Sequence, residues 1–135
     1  MARLSVELPA ALAEQIRHEA ANAAPRECCG LIEGLRDGGR FRVTALHSAR
    51  NLAMEADRFD IDPRDHLAAA KMARARGRQI IGCYHSHPGG AARPSQRDAA
   101  GAEEENFLWL IVAGRELAAF VYFCGDFAGV DWTMS

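Results

Sequence analysis

Apolar and polar positions along this chain follow two rhythms, and the switches between them mark its elements. From Pro9 to Ala24, Leu12, Ile16 and Ala20 recur at helical spacing while Glu14, Arg17 and His18 take the other face, which predicts an amphipathic helix. Pro9 suits its first turn and Pro25 blocks its continuation. A strand is expected over Glu27 to Glu33, then the turn Arg36-Asp37-Gly38-Gly39 and a second strand from Phe41 to His47. Asn51 to Arg58 reads as loop, followed by a short extended Phe59-Asp60-Ile61. Asp62 and Pro63 form a helix start, with the aspartate as N-cap and proline in the first turn, and Gly77 is placed to end that helix after Arg76.

Gln79 to Tyr84 is apolar on both faces, the mark of a central strand. It delivers His85-Ser86-His87 at its C-terminal end. A loop rich in glycine and proline, Pro88 to Pro94, leads to a helix starting at Ser95, and Glu103 to Glu105 read as its solvated face. Two late strands, Phe107 to Val112 and Leu117 to Phe123, are joined by Ala113 to Glu116, and Val130 to Trp132 is expected to add an edge. Helices mixed with hairpin-linked strands predict an α/β fold, a single domain over residues 1–135 with a mixed, curved sheet flanked by helices.

Composition narrows the function classes. The chain has 135 residues, a net charge of −2 and 25% charged residues. There is no basic field of the kind that gathers phosphate backbones, so no nucleic-acid partner is expected. The longest unbroken apolar run, Phe107 to Ala113, is seven residues. A membrane helix needs about 20, and the opening MARLSVELPAALAE lacks the zones of a signal peptide. Cys28, Cys29, Cys83 and Cys124 show no C-x-x-C pair and no disulfide-scaffold spacing. These features lead us to expect a cytoplasmic protein with reduced thiols.

The chemistry concentrates in His85-x-His87. Alternate side chains of a strand share a face, so both imidazoles can reach one ion. Asp98 lies eleven residues beyond His87 near a helix start, across a loop long enough to fold back. Two imidazoles and a carboxylate would leave a fourth position for water, the plan of a catalytic zinc. Each part has a plainer reading. Histidines flank many strands, and Ser95-x-x-Asp98 is also a helix capping box. His18, His47 and His66 are isolated and read as surface or packing residues. Cys83 falls on the same side of its strand as His85 and reads as a buried thiol, as do Cys28 and Cys29. Phe107, Trp109, Phe120 and Tyr122 read as core.

Taken together, His85-Ser86-His87-Pro88, six residues, then Ser95-x-x-Asp98 resembles the H-x-H-P…S-x-x-D signature of the JAMM (MPN+) metallopeptidases, the Mov34/MPN/JAB domain. Glu27, followed by Gly30 and Gly34, matches the early glutamate of that family, and Asn51 to Pro63 is also similar to family sequence. The resemblance implies a JAB/MPN domain of cytidine-deaminase-like architecture holding one Zn²⁺ per chain through His85, His87 and Asp98. It implies Glu27 as the general base and Ser95 as a donor to the oxyanion. The implied reaction is hydrolysis of an amide bond after the C-terminal glycines of a ubiquitin-like protein. The short chain suggests the minimal bacterial-type branch, whose partners are sulfur-carrier proteins with a diglycine C-terminus. Apolar edge strands would also suit a homodimer.

Other classes were weighed. A non-catalytic MPN scaffold lacks its ligands, whereas every ligand position and Glu27 are filled here. Pro88-Gly89-Gly90 and Pro94-Ser95 also fit a RadC-like, DNA-repair-associated protein, against which the acidic balance argues. A zinc deaminase would need a P-C-x-x-C segment, which does not follow.

Overall fold

A computed structural model describes residues 3–135. Its elements run β1 (Ser5–Leu8), α1 (Ala10–Ala23), β2 (Cys29–Asp37), β3 (Arg40–Ala49), α2 (Pro63–Ala75), β4 (Gln79–Ser86), α3 (Gln96–Gly101), β5 (Phe107–Ala113), β6 (Glu116–Phe123), β7 (Asp126–Val130) and β8 (Trp132–Met134). All eight strands form one sheet in the order β7-β6-β5-β4-β2-β3-β1-β8. Pairing is mixed: β4 and β5 are parallel, as are β1 with β3 and β1 with β8, and the rest are antiparallel. The expected α/β fold with a mixed, curved sheet is therefore what the chain adopts. No helix among the described residues is long and apolar enough to cross a membrane.

The sheet curls almost closed. Only Asp131 separates β7 from β8, yet these are the two outermost strands, so the sheet must bend until its edges meet. Both edges are thus occupied by short, half-exposed strands. The strand β1 was not foreseen, because four residues ahead of a helix carry too little alternation to declare themselves. It exists because Val6 and Leu8 are buried against the sheet that β3 and β8 supply.

Inside the curl, α1 buries Ala13 and Ile16 against Ile32, Phe41, Tyr84, Leu110 and Val112. The opposite face of β4 and β5 carries a second apolar cluster, with Cys83, Phe107 and Trp109 against Phe59, Ile61, Phe120 and Phe127. Register explains the division. Cys83 stands opposite Trp109 and His85 opposite Ile111, so Cys83, His85 and Trp109 share one face. Gly82 leaves no room for a side chain against β5, since a Cβ there would lie 2.7 Å from Leu108 Cβ.

Two boundaries differ from expectation. Glu27 lies ahead of β2, which begins at Cys29, so the acid is on the loop entering the strand and not within it. The helix α3 ends at Gly101, leaving Glu103 to Glu105 exposed in the following loop and not on a helix face. Gly101, Ala102 and the short apolar content of α3 give the helix nothing to extend for.

Candidate metal centre

Four segments converge at the C-terminal end of β4. His85 is the penultimate residue of that strand and fully buried, and His87 follows one residue beyond its end at Ser86. Their Nε2 atoms are 3.0 Å apart. Asp98 Oδ2 lies 3.1 Å from His85 Nε2 and 3.2 Å from His87 Nε2. A tetrahedral zinc with bonds of about 2.0–2.1 Å spaces its donors by roughly 3.3 Å, so these three atoms stand almost where such an ion would want them. The donor set of two imidazoles and one carboxylate suits zinc chemically.

Asp98 reaches this point because α3 begins beside it. Ser95 Oγ accepts from the Asp98 amide at 3.0 Å, and Asp98 Oδ2 accepts from the Ser95 amide at 2.9 Å. The capping box and the approach to the imidazoles therefore coexist in one residue, and the plain reading of Ser95-x-x-Asp98 holds without excluding the functional one. The Ser95 hydroxyl accepts in the cap, which leaves its proton free to donate elsewhere.

Glu27 is buried at 6% exposure, and its Oε1 has no hydrogen-bond partner among the described residues. Ligand atoms of Glu27, His85 and His87 all lie within 4.8 Å of one another. Sequence expectation assigned the third ligand to Asp98 and the base to Glu27. The shorter distances belong to Asp98, and the orphaned Glu27 oxygen beside them matches a group that would face a water or a cation.

Electrostatics separate the acids. Desolvation by burial raises the Glu27 carboxyl from 4.5 to about 7, against the opposing pull of His87. Burial also acts to raise Asp98, but hydrogen bonds from His85 and His87 win and hold it well below the usual carboxylate range. Burial lowers His85, keeping it neutral at pH 7, as a ligand must be. For His87 burial is outweighed by Asp98 and the Ala91 carbonyl, and its net direction is upward. Burial lifts the Cys28 thiol to about 11 and Cys29 to about 12, so neither is a nucleophile at neutral pH.

Three supporting residues escaped sequence reasoning. Ser86 Oγ accepts from the Cys28 amide at 2.8 Å, pinning the Glu27 loop to the end of β4. Asn51 uses its whole amide: Nδ2 donates to the carbonyls of Glu27 at 3.0 Å and Arg58 at 3.1 Å, and Oδ1 accepts from Ala53 and Asp60, each at 2.9 Å. Phe59 stacks on the His85 ring with centroids 4.3 Å apart. The middle residue of H-x-H and a lone asparagine opening a loop were the available signals. Of the remaining histidines, His18 bonds Asn22, His47 bonds the buried Glu33 at 2.8 Å, and His66 lines a cleft.

Two clefts flank the centre. One of about 770 Å³ is lined by Phe59, His66, Asp98 and Trp109, and one of about 620 Å³ by Glu27, His87, Arg93 and Ser95. Arg97 borders both and is bonded to Asp57 across the divide at 2.9 Å.

The matching family model decides the relationship: prokaryotic homologs of the JAB domain, over residues 9–124. The chain belongs to the JAB (JAMM/MPN) family. This JAB domain is 32% identical over 96 residues to the desampylase of Haloferax volcanii, covering 70% of the chain and 68% of that protein. It is 35% identical over 91 residues to a probable TtuB-protein conjugate cleaving protease of Thermus thermophilus, covering 67% of the chain and 59% of the relative. A solution structure of a Desulfitobacterium hafniense protein has the same JAB architecture, with a TM-score of 0.88 at 30% identity over 96% of this chain and 92% of that one.

Proposed function

We propose that this JAB domain is a zinc-dependent isopeptidase that hydrolyses an amide bond after the C-terminal glycines of a ubiquitin-like or sulfur-carrier protein. One observation carries the reading: three donor atoms from His85, His87 and Asp98 stand 3.0–3.2 Å apart with the buried Glu27 carboxyl beside them. The Haloferax relative, a desampylase, and the Thermus relative, a probable TtuB-protein conjugate cleaving protease, support the substrate class.

The Nε2 atoms of His85 and His87 and Oδ2 of Asp98 would hold the zinc. Such an ion polarises a carbonyl and acidifies water to a pKa near about 7. Glu27 accepts the proton of the attacking water and returns it to the leaving amine, a task suited to a buried carboxyl with an unpartnered oxygen among the described residues. The Ser95 hydroxyl donates to the carbonyl oxygen as it gains charge. Ser86 and Asn51 hold the Glu27 backbone while the proton moves twice.

The test is incubation of the zinc-loaded protein with a panel of ubiquitin-like and sulfur-carrier proteins, each extended past its terminal diglycine, read by intact mass. Release of the extension, lost on chelation and in Glu27→Gln, is expected. A zinc-bound protein that cleaves none of them refutes the isopeptidase assignment.

A further inference from the structure

The two imidazoles at the centre are held in place by different means. His87 is oriented by a hydrogen bond: its Nδ1 donates to the Ala91 carbonyl at 2.8 Å, which fixes the ring with Nε2 turned toward Asp98. Ligating histidines usually have such a partner for the second nitrogen. His85 has none. Its Nδ1 is buried without a hydrogen-bond partner among the described residues, although the side chain is fully enclosed. The torsion that turns an imidazole about its Cβ–Cγ bond is broad and soft, so something else must set the plane of this ring.

Aromatic neighbours supply that constraint. Phe59 lies against one face of His85, centroids 4.3 Å apart and planes 22° apart. Trp109 meets the ring edge-on at 5.6 Å and 86°, and itself packs against Phe59 at 6.0 Å. Stacking fixes the plane but is indifferent to a half-turn within it. Asp98 Oδ2, 3.1 Å from Nε2, selects between the two half-turns. Phe59 is in turn held firmly, because Asn51 bonds the backbone on both sides of it, at the Arg58 carbonyl and the Asp60 amide. A bridge between Asn51 and Ile61 closes the same loop.

We infer that Phe59 is a positioning residue for His85, setting the imidazole plane by ring contact where His87 uses a hydrogen bond, and that Asn51 acts on the centre through Phe59. The inference rests on the zinc reading above. It makes metal affinity depend on a residue that offers the metal no donor. An aliphatic side chain at position 59 fills the space yet presents no flat face, so the ring can rock and its lone pair is aimed correctly for only part of the time.

The experiment measures zinc affinity by competition with a chromophoric chelator for the whole protein, for Phe59→Leu, Phe59→Ala and Phe59→Tyr, and for Asn51→Ala. Cobalt-substituted spectra report ligand geometry, and melting in excess chelator reports the fold without metal. Phe59→Leu and Phe59→Ala are expected to weaken zinc binding about 10- to 100-fold, the usual effect of removing a group that orients a ligand, while Phe59→Tyr stays within about threefold of wild type. The cobalt bands of Phe59→Leu should shift while its melting in chelator stays near that of wild type. Asn51→Ala should weaken zinc in the same direction. Equal affinity and unchanged cobalt bands in Phe59→Leu and Phe59→Ala would overturn the inference. A wild-type protein that binds no zinc is a different result, and it overturns the metal reading itself.

Discussion

Replacing Glu27 with glutamine tests the electrostatics of the centre without any substrate. The carboxyl is 6% exposed with one oxygen unpartnered, and burial raises it from 4.5 to about 7. Between those values the folded protein holds a proton that the unfolded chain has released. Stability therefore falls as pH rises through that window, because the unfolded state binds fewer protons there. At about 1.4 kcal/mol for each pH unit, the metal-free protein should be about 3 kcal/mol less stable at pH 8 than this group would allow at pH 4.5. Glutamine has a similar shape and no charge to desolvate. Urea unfolding in excess chelator, at pH 5 and pH 8, gives the comparison. Glu27→Gln should gain on wild type by about 2–3 kcal/mol at pH 8 and show little difference at pH 5. His87 and Asp98 are coupled to the Glu27 charge, so the difference reads the Glu27 carboxyl together with that coupling. An equal fall in stability for both proteins between the two pH values would show that the Glu27 carboxylate is not desolvated, and the argument for a base titrating near neutrality would go with it.

Removing a donor from the metal centre should act on binding more than on folding. His87→Ala is expected to abolish the zinc-induced rise in melting temperature while the chelated protein melts close to wild type, measured by thermal denaturation with and without zinc. Ser95→Ala loses a helix cap worth about 1 kcal/mol and the proposed donor to the oxyanion. It should keep zinc but cut turnover roughly 100-fold in the extended-carrier assay, and unchanged turnover would remove Ser95 from the mechanism. Gly82→Ala forces a Cβ to 2.7 Å from Leu108 Cβ at the β4–β5 contact, and should cost about 3 kcal/mol or more by urea unfolding.

Much of this protein can be read along the chain. The helical rhythm from Pro9 and the Asp62-Pro63 start gave α1 and α2 nearly to the residue, since each carries a local stop or cap. The apolar run from Gln79 marked a central strand, and β4 does lie between β2 and β5. His85, His87 and Asp98 stood out by residue type and spacing, whereas Glu27 and Ser95 were singled out through the resemblance to the JAMM signature. Local pattern was enough wherever the constraint was local.

What the chain could not state on its own concerns partners far apart in sequence. β1 and β7 carry weak alternation, and they are strands only because the curled sheet brings β8 beside β1 and lays β7 against β6. Asn51 looks like any loop asparagine until Glu27, Arg58 and Asp60 are folded around its amide. Phe59 reads only as part of a short extended segment until His85, 26 residues later in the sequence, lies under its ring. The raised Glu27 carboxyl likewise depends on enclosure by segments from across the chain, since desolvation belongs to a three-dimensional surrounding and is encoded by no single neighbour.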